Sequence, residues 1–141
     1  MSASERPVGK TKDAGWEIGV SRTVPARVER VWAALVSPAG LAVWLGDGAH
    51  FEGNAGEPYE TADGTSGELR SFRPGDRIRL TWQPADWTHD STVQIALRDK
   101  GEKTGMTFHQ ERLADSAERE RQRAHWRGVA DAFVDHLGGG E

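Results

Sequence analysis

The stretch that decides the fold is VSRTVPARVERVWAALVSPAGLAVWL, residues 20–45, in which the spacing of apolar residues changes partway along. Up to Val24, apolar residues recur at every second position except at Arg22, which is typical of a half-buried strand. After Pro25 the spacing becomes helical, and the Ser-Pro pair at 37–38 predicts the end of that helix. A second short apolar helix is predicted at 41–45. The stretch therefore predicts one strand followed by two consecutive helices.

The rest of the chain predicts a meander of strands followed by one long helix. The predicted strands are 49–52, 57–61, 67–72, 77–82, 93–97 and 106–111. Asp63-Gly64 is a hairpin signal between two of them. Asp115 or Ser116 is predicted to cap the last helix, and the glycines after Leu137 to end it. One apolar stripe runs along this helix through Trp126, Val129, Ala130, Phe133 and Leu137.

This order of elements predicts an α+β domain. A straight helix touches only part of a twisted sheet, so a curved antiparallel sheet of six to seven strands should wrap around the long C-terminal helix. The two short helices after the first strand should close one end. We expect residues 1–14 to form a disordered N-terminal tail, 15–138 to form the folded domain and 139–141 to form a C-terminal tail.

Composition narrows the classes of function. The chain has 141 residues, no cysteine and a formal net charge of −4, which gives no electrostatic attraction to nucleic acid. No apolar run approaches the length of a membrane span, and no signal-peptide pattern is seen, so we expect a cytoplasmic protein. The six tryptophans fill a core or line an apolar pocket. Neither phosphate-loop nor nucleophile-elbow motifs occur, and we expect no cofactor.

An ordered set of residues between about 16 and 137 resembles the START-like or SRPBCC superfamily, the helix-grip fold. Within it, the chain resembles the branch named after the activator of the heat-shock ATPase. The matching positions are Arg22-Thr-Val-Pro-Ala26, Val31-Trp32, Leu35, Pro38, Leu41, Trp44-Leu45, Gly64, Gly67-Glu68, Leu80-Thr-Trp82, Thr107-Phe-His109 and Trp126. Two features depart from the pattern: the segment after His109 reads QERL instead of an aromatic, glycine-containing run, and the Asn-Asn-Trp-His-Trp motif of the eukaryotic co-chaperone does not occur.

The resemblance implies that a small hydrophobic ligand binds between the sheet and the C-terminal helix, and it points to bacterial members with stress or regulatory roles. We expect a binding protein rather than an enzyme. The residues predicted to line the site are Ile78, Leu80, Trp82, Val93, Ile95, Phe108, Trp126, Val129, Ala130 and Phe133. Two alternatives remain: a polyketide cyclase-like or dehydratase-type enzyme that uses the same cavity, and a protein-interaction or co-chaperone-like module. A protein partner is compatible with these residues, and so is either a monomer or a homodimer.

Polar candidates are few. His109 is a candidate acid or base at the cavity mouth, but its phase is opposite to that of Met106 and Phe108, which favours the solvated face of the sheet. The other histidines have no metal-ligand spacing, so no metal site is predicted. Two further sets have an ordinary interpretation as solvated or ion-paired surface. They are the carboxylates Asp47, Glu52, Glu57 and Glu68, and the arginines Arg119, Arg121, Arg123 and Arg127.

Overall fold

A computed structural model describes residues 10–11 and 15–139. The strands are β1 (Lys10–Thr11), β2 (Gly15–Val24), β3 (Pro58–Glu60), β4 (Ser66–Arg73), β5 (Arg77–Trp82), β6 (Ser91–Lys100) and β7 (Lys103–Leu113). The helices are α1 (Val28–Val36), α2 (Pro38–Trp44) and α3 (Ser116–Gly139). The predicted order of one strand, two short helices, a meander and a long helix is confirmed.

The strands form one antiparallel sheet in the order β1-β2-β7-β6-β5-β4-β3. The first long strand therefore pairs with the last, and the curved sheet packs against α3 in the predicted α+β helix-grip arrangement. Strand alternation separates two faces. On β7, Met106, Phe108 and Gln110 are buried on the inner face, whereas Thr107 and His109 lie on the partly solvated outer face.

A single serine ends α1 and begins α2. The Ser37 side chain donates to the carbonyl of Ala34 at 2.8 Å and accepts from the N–H of Gly40 at 3.0 Å. Pro38 then occupies the first helical position of α2, where its missing N–H removes no helical hydrogen bond. The Ser-Pro pair therefore marks the boundary between the helices, and α2 begins three residues earlier than predicted.

The apolar stripe of α3 lies against the sheet as predicted. Trp126, Ala130, Phe133 and Leu137 are buried, and Val129 is partly buried. At the start of the helix, the Asp115 carboxylate accepts from the N–H of Glu118 at 2.8 Å. Glu118 in turn accepts from the N–H of Ala114 at 2.9 Å, so two otherwise unpaired donors at the helix start are satisfied.

The predicted strand at 49–52 is wrong: this segment is a loop. The carboxylate of Glu57 accepts hydrogen bonds from the backbone N–H groups of Glu52, Gly53 and Asn54. These donors are therefore used by a side chain and not by a neighbouring strand. The hydrogen bonds from Glu52 and Asn54 also lower the pKa of Glu57.

At the N-terminus, the structure places Lys10–Thr11 as β1 beside β2. The remainder of the predicted tail, residues 1–9 and 12–14, lies outside the described residues. The disordered tail at 1–14 and the short C-terminal tail therefore stay predictions, while α3 is described through Gly139.

Gly67 permits the closest approach of β4 to β5. A Cβ built on Gly67 would lie 2.0 Å from the carbonyl oxygen of Thr81, which is far inside van der Waals contact. Gly128, in the middle of α3, is the opposite case, because a Cβ there would meet nothing within 4 Å.

We predict that Gly67→Ala lowers the free energy of unfolding by more than about 2 kcal/mol, because the backbone of two paired strands must separate. Gly128→Ala should raise it by about 0.5–1 kcal/mol, because alanine loses less backbone entropy in a helix. Urea unfolding of both variants checks the pair. Similar effects of the two substitutions would contradict the strand contact at Gly67.

Candidate ligand site

The ten residues predicted to line a ligand site come together between the sheet and α3. Nine of them are buried and Val129 is partly buried. The ring of Trp126 stacks on Phe108 with centroids 5.6 Å apart, and it lies 5.8 Å from the ring of Trp82. The structure shows one packed core at these positions. Their role in binding a ligand stays a prediction.

A chain of buried hydrogen bonds crosses this core. The side-chain carbonyl of Gln110, on the inner face of β7, accepts from Trp126 Nε1 at 2.7 Å and from Gln122 Nε2 at 3.1 Å. Its amide nitrogen donates to Ser91 Oγ at 2.8 Å, and that hydroxyl donates to the carbonyl of Trp82 at 2.8 Å. Because each member of this chain has a partner, the network fixes the orientation of Trp126 and of the end of β5.

Sequence analysis missed this network. It assigned Gln110 to a divergent segment and gave no role to Gln122 or Ser91. The signal for Gln110 was present, because Gln110 continues the alternation of Met106 and Phe108 and so had to face the core. The partners of a buried amide depend on tertiary contacts, and no spacing in the sequence reveals them.

Five rings meet at the end of the core where β5 stops. They are Trp82, Trp87, His89, His125 and Trp126, which we call the Trp82 cluster. Trp87 packs edge-on against Trp82 at 5.3 Å and stacks on His89 at 4.8 Å. His125 lies 5.8 Å from Trp82. The loop between β5 and β6, which carries Trp87 and His89, is thereby joined to α3 through aromatic contacts.

The indole N–H of Trp82 is buried and has no hydrogen-bond acceptor among residues 10–11 and 15–139. The corresponding groups of Trp126 and Trp44 are paired, with Gln110 Oε1 and with the carbonyl of Leu35, respectively. An unpaired buried donor costs about 1–3 kcal/mol. The Trp82 cluster is therefore a place where an acceptor atom from another molecule would be stabilised.

His89 and Glu118 hold the loop between β5 and β6 against α3. His89 Nε2 lies 2.9 Å from Glu118 Oε1, and the Glu118 side chain is only 10% exposed. Burial disfavours the imidazolium, but the hydrogen bond and charge of Glu118, together with the carbonyl of Asp90, outweigh this effect and raise the pKa of His89. The charged pair is thus the favoured state of this contact under mildly acidic conditions.

His125 differs from His89 because its ring lies against aromatic rings. It keeps an exposed surface on α3, yet it packs against Trp82 and Trp126. Desolvation by these neighbours lowers the pKa of His125, and the charge of Asp63 partly offsets the effect. A neutral imidazole at the edge of the Trp82 cluster is therefore favoured near neutral pH.

The turn at residues 61–65 packs beside the Trp82 cluster. Gly64 has φ of +90°, and a Cβ built on it would lie 2.9 Å from the Cβ of Ala85, in the loop between β5 and β6. Hydrogen bonds from the hydroxyl of Thr61 and the backbone N–H of Thr65 lower the pKa of Asp63. The Asp63-Gly64 signal in the sequence thus forms the predicted turn, and only glycine fits both its φ and its neighbour.

His109 lies on the outer face of the sheet. Its Nε2 lies 3.6 Å from an oxygen of Glu17, and the side chain is 31% exposed. The strand alternation predicted this face. A catalytic role for His109 stays a hypothesis, and its neighbours are carboxylates on the outer face and not the apolar core.

Four of the other polar candidates form ion pairs on the surface. Glu68 pairs with Arg70, and Glu52 pairs with His50. On α3, Arg119 and Arg123 both approach Glu120, as expected for an ion-paired helix surface.

Two cavities lie away from the Trp82 cluster. A groove of about 440 Å³ on the outer face is lined by Ser21, Arg22, Thr23, Ala96, Arg98, Lys100, Gly105, Met106 and Thr107. A cleft of about 240 Å³ beside the end of α3 is lined by Val24, Pro25, Ala26, Arg30, Val134, Leu137 and Gly138. Arg30 closes one side of this cleft by donating to the carbonyl of Leu137 at 2.6 Å.

The fold and the core beneath α3 define a helix-grip domain. A family model described as Activator of Hsp90 ATPase homolog 1-like protein matches residues 25–138. The chain belongs to this family. Of the helices in the described residues, none has the length and apolarity that a membrane span requires.

Solved structures share the architecture at low sequence identity. DynU16, a protein of the dynemicin biosynthetic locus, is 22% identical with a TM-score of 0.73; the match covers 89% of this chain and 48% of DynU16. The Aha1 dimer from Colwellia psychrerythraea is 16% identical with a TM-score of 0.70, and the match covers 86% of this chain and 95% of that chain. At these identities the likeness shows the fold.

A partial match occurs in a curated protein. Over 77 residues, 54% of this chain, the sequence is 37% identical to the aspartate–tRNA(Asp/Asn) ligase of Rubrobacter xylanophilus. The match spans only 12% of that enzyme, so it transfers no activity to this chain.

We predict that the stabilising effect of His89 depends on pH. Because the folded-state pKa is raised, the contribution is fully present below the unfolded value of about 6.5 and is lost as pH rises through the folded value. The loss of stability in His89→Gln should therefore be larger at about pH 5.5 than at about pH 8.5. Denaturant unfolding of the parent and of His89→Gln at each pH measures this loss.

The control is His50→Gln. His50 also lies near a carboxylate, that of Glu52, but both side chains are at least 70% exposed. Such a pair contributes little, so the pH dependence should match that of the parent. Parallel stability curves for the parent and His89→Gln would contradict the ion pair with Glu118.

Proposed function

We propose that this protein binds a small, largely apolar molecule at the Trp82 cluster, between α3 and the loop that joins β5 to β6. The observation that carries the proposal is the buried indole N–H of Trp82, which has no acceptor within the described part of the chain. Buried donors are nearly always paired in folded proteins. An oxygen of a bound molecule would supply the missing acceptor.

The surroundings of Trp82 indicate the kind of molecule. Trp87 and Trp126 provide apolar ring surface, and His125 is neutral at the edge of the cluster. The matching ligand is an aromatic or polycyclic body with one uncharged acceptor, such as a ketone oxygen. For a ligand to reach the Trp82 cluster, the loop between β5 and β6 would have to move. The contact between His89 and Glu118 holds this loop against α3.

Family membership supports this proposal. Resemblance to the helix-grip superfamily implies hydrophobic ligands between the sheet and the C-terminal helix, which is where the Trp82 cluster lies. In a protein of this family, reversible binding fits a stress or regulatory role. We expect binding without turnover, which separates this function from the cyclase or dehydratase alternative.

We predict that the protein binds acetonaphthone more tightly than ethylnaphthalene, because only the ketone can accept from Trp82. The difference should be about fivefold to tenfold, the ratio that one hydrogen bond provides. Tryptophan fluorescence titration measures both affinities. In Trp82→Phe the preference for the ketone should disappear, whereas in Trp44→Phe it should remain, because Trp44 is already paired with Leu35. If the preference for the ketone survives in Trp82→Phe, the ketone oxygen accepts its hydrogen bond from a group other than Trp82, and the proposed site is wrong.

Stability without ligand provides a separate prediction. Trp44→Phe leaves the carbonyl of Leu35 without its partner, whereas Trp82→Phe removes a donor that has none. We expect Trp82→Phe to lose less unfolding free energy, by about 1 kcal/mol or more, although both rings are buried. Denaturant unfolding checks the comparison. An equal loss would mean that the indole of Trp82 is satisfied in the free protein, by water for example.

A second candidate function is a protein-interaction or co-chaperone-like module. The groove of about 440 Å³ on the outer face favours it, because its floor is built from small residues and the exposed Arg98 and Lys100 flank it. This charge suits an acidic segment of a partner protein. NMR shifts caused by an acidic model peptide would distinguish the two candidates. Shifts around Thr107 that vanish in an Arg98→Glu, Lys100→Glu variant would support this module, and the absence of such shifts would remove it.

A further inference from the structure

Three potential metal ligands meet on the outer face of the sheet, on the side opposite the Trp82 cluster. They are Glu17 on β2 and His109 and Glu111 on β7, and one ligand atom from each lies within 4.8 Å of the others. His109 Nε2 lies 3.6 Å from Glu17 Oε1. Each residue is only partly exposed, so the cluster lies on the sheet and not at the end of a mobile side chain.

Backbone geometry brings these residues together. His109 and Glu111 are two apart on one strand, so both side chains point to the same face. His109 pairs with Gly19, and a Cβ built on Gly19 would lie 3.9 Å from His109 Cδ2. The imidazole therefore extends over the neighbouring strand. A register shift between β2 and β7 at Trp16 and Ile18 lies beside Glu17, and such irregularities redirect side chains.

The separations suit a transition-metal ion. Ligand atoms bound to one tetrahedral Zn²⁺ at about 2.0–2.2 Å lie about 3.3–3.6 Å apart. His109 Nε2 and Glu17 Oε1, at 3.6 Å, already have this spacing. A ligand atom at the 4.8 Å limit of the cluster would have to approach the others by up to about 1.5 Å, which a change of carboxylate side-chain torsion provides. One imidazole nitrogen with two carboxylates favours a divalent transition metal over Ca²⁺ or Mg²⁺, which prefer oxygen ligands alone.

The local charge also favours a cation. Arg79 donates from Nη2 to Glu111 Oε1 and also reaches Gln94 at 3.2 Å. Its single positive charge faces two carboxylates, so Arg79, Glu17 and Glu111 together carry a net charge of −1. Arg79 and an ion at this cluster would therefore share the Glu111 carboxylate.

We propose that Glu17, His109 and Glu111 form a binding site for a divalent transition-metal ion such as Zn²⁺. Three protein ligands leave at least one coordination position for water or an exogenous group. Because the ligands come from β2 and β7, the ion ties together the first long strand of the chain and the last. The guanidinium of Arg79 orients Glu111 and competes for it, so Arg79 sets the affinity of the site.

The test is a titration of untagged protein with Zn²⁺, followed by calorimetry and by NMR of the histidine side chains. We expect one equivalent to bind, the ring signals of His109 to shift first, and the melting temperature to rise because only the folded state holds the three ligands together. Initial shifts at His50, His89, His125 or His136, with none at His109, would overturn the proposal.

Variants provide an independent measurement. His109→Asn and Glu17→Gln should each weaken Zn²⁺ binding at least about tenfold. Arg79→Met should tighten it, because the competing cation is removed. The matched control is His50→Asn, which alters an exposed histidine 3.1 Å from the Glu52 carboxylate and should leave the affinity unchanged. Equal affinity in the parent, His109→Asn and Glu17→Gln would overturn the site whether or not Arg79→Met folds.

Discussion

The contact on which the rest of the structure depends is that of Trp126 with the inner face of β7. Its ring stacks on Phe108, and its indole N–H is hydrogen-bonded to the buried side chain of Gln110. The first contact provides apolar burial. The second contact specifies one orientation, because rotation or sliding of α3 would leave a buried amide without its partner. Through Ser91, the same amide also positions the end of β5 and hence Trp82.

The curvature of the sheet goes with this packing, because α3 lies against its concave side. The sheet is open, with β1 and β3 at its edges and the paired strands β2 and β7 between them. The two sides then differ in chemistry. The concave side is apolar except for the Gln110 network, whereas the convex side carries Arg79, Gln94, His109 and Glu111 in neighbouring rows. The two proposed sites lie on opposite sides of the sheet and take their residues from different strands, so each can be changed without removing the other.

Two loops cover the end of the core that contains Trp82. The turn at 61–65 and the loop between β5 and β6 touch at Gly64 and Ala85, and His89 attaches the second of them to Glu118. The end of the core that contains the unpaired indole is thus the end whose cover is made of loops. Loops supported by a rigid scaffold are where functional sites are usually found. The family provides the scaffold, and the function proposed above uses these loop residues for specificity.

The sequence by itself determined the order of elements, because each was encoded by local spacing. The change from period two to helical spacing at Pro25, the Ser-Pro pair at 37–38 and the stripe from Trp126 to Leu137 all correspond to observed boundaries or buried faces. Alternation along β7 also placed His109 on the outer face. These features depend on residues close in the chain, so one sequence is enough to reveal them.

Only the tertiary structure decided which polar groups meet. The segment 49–52 has the composition of a strand, but it is a loop, and the carboxylate of Glu57 accepts from the backbone N–H of Glu52 at its end. Gln110 is hydrogen-bonded to Gln122 and Ser91, and His109 lies beside Glu17. These contacts join distant parts of the chain. A hydrogen bond or metal ligand requires ångström-level placement of two groups, and hydrophobic periodicity fixes a face but not a partner.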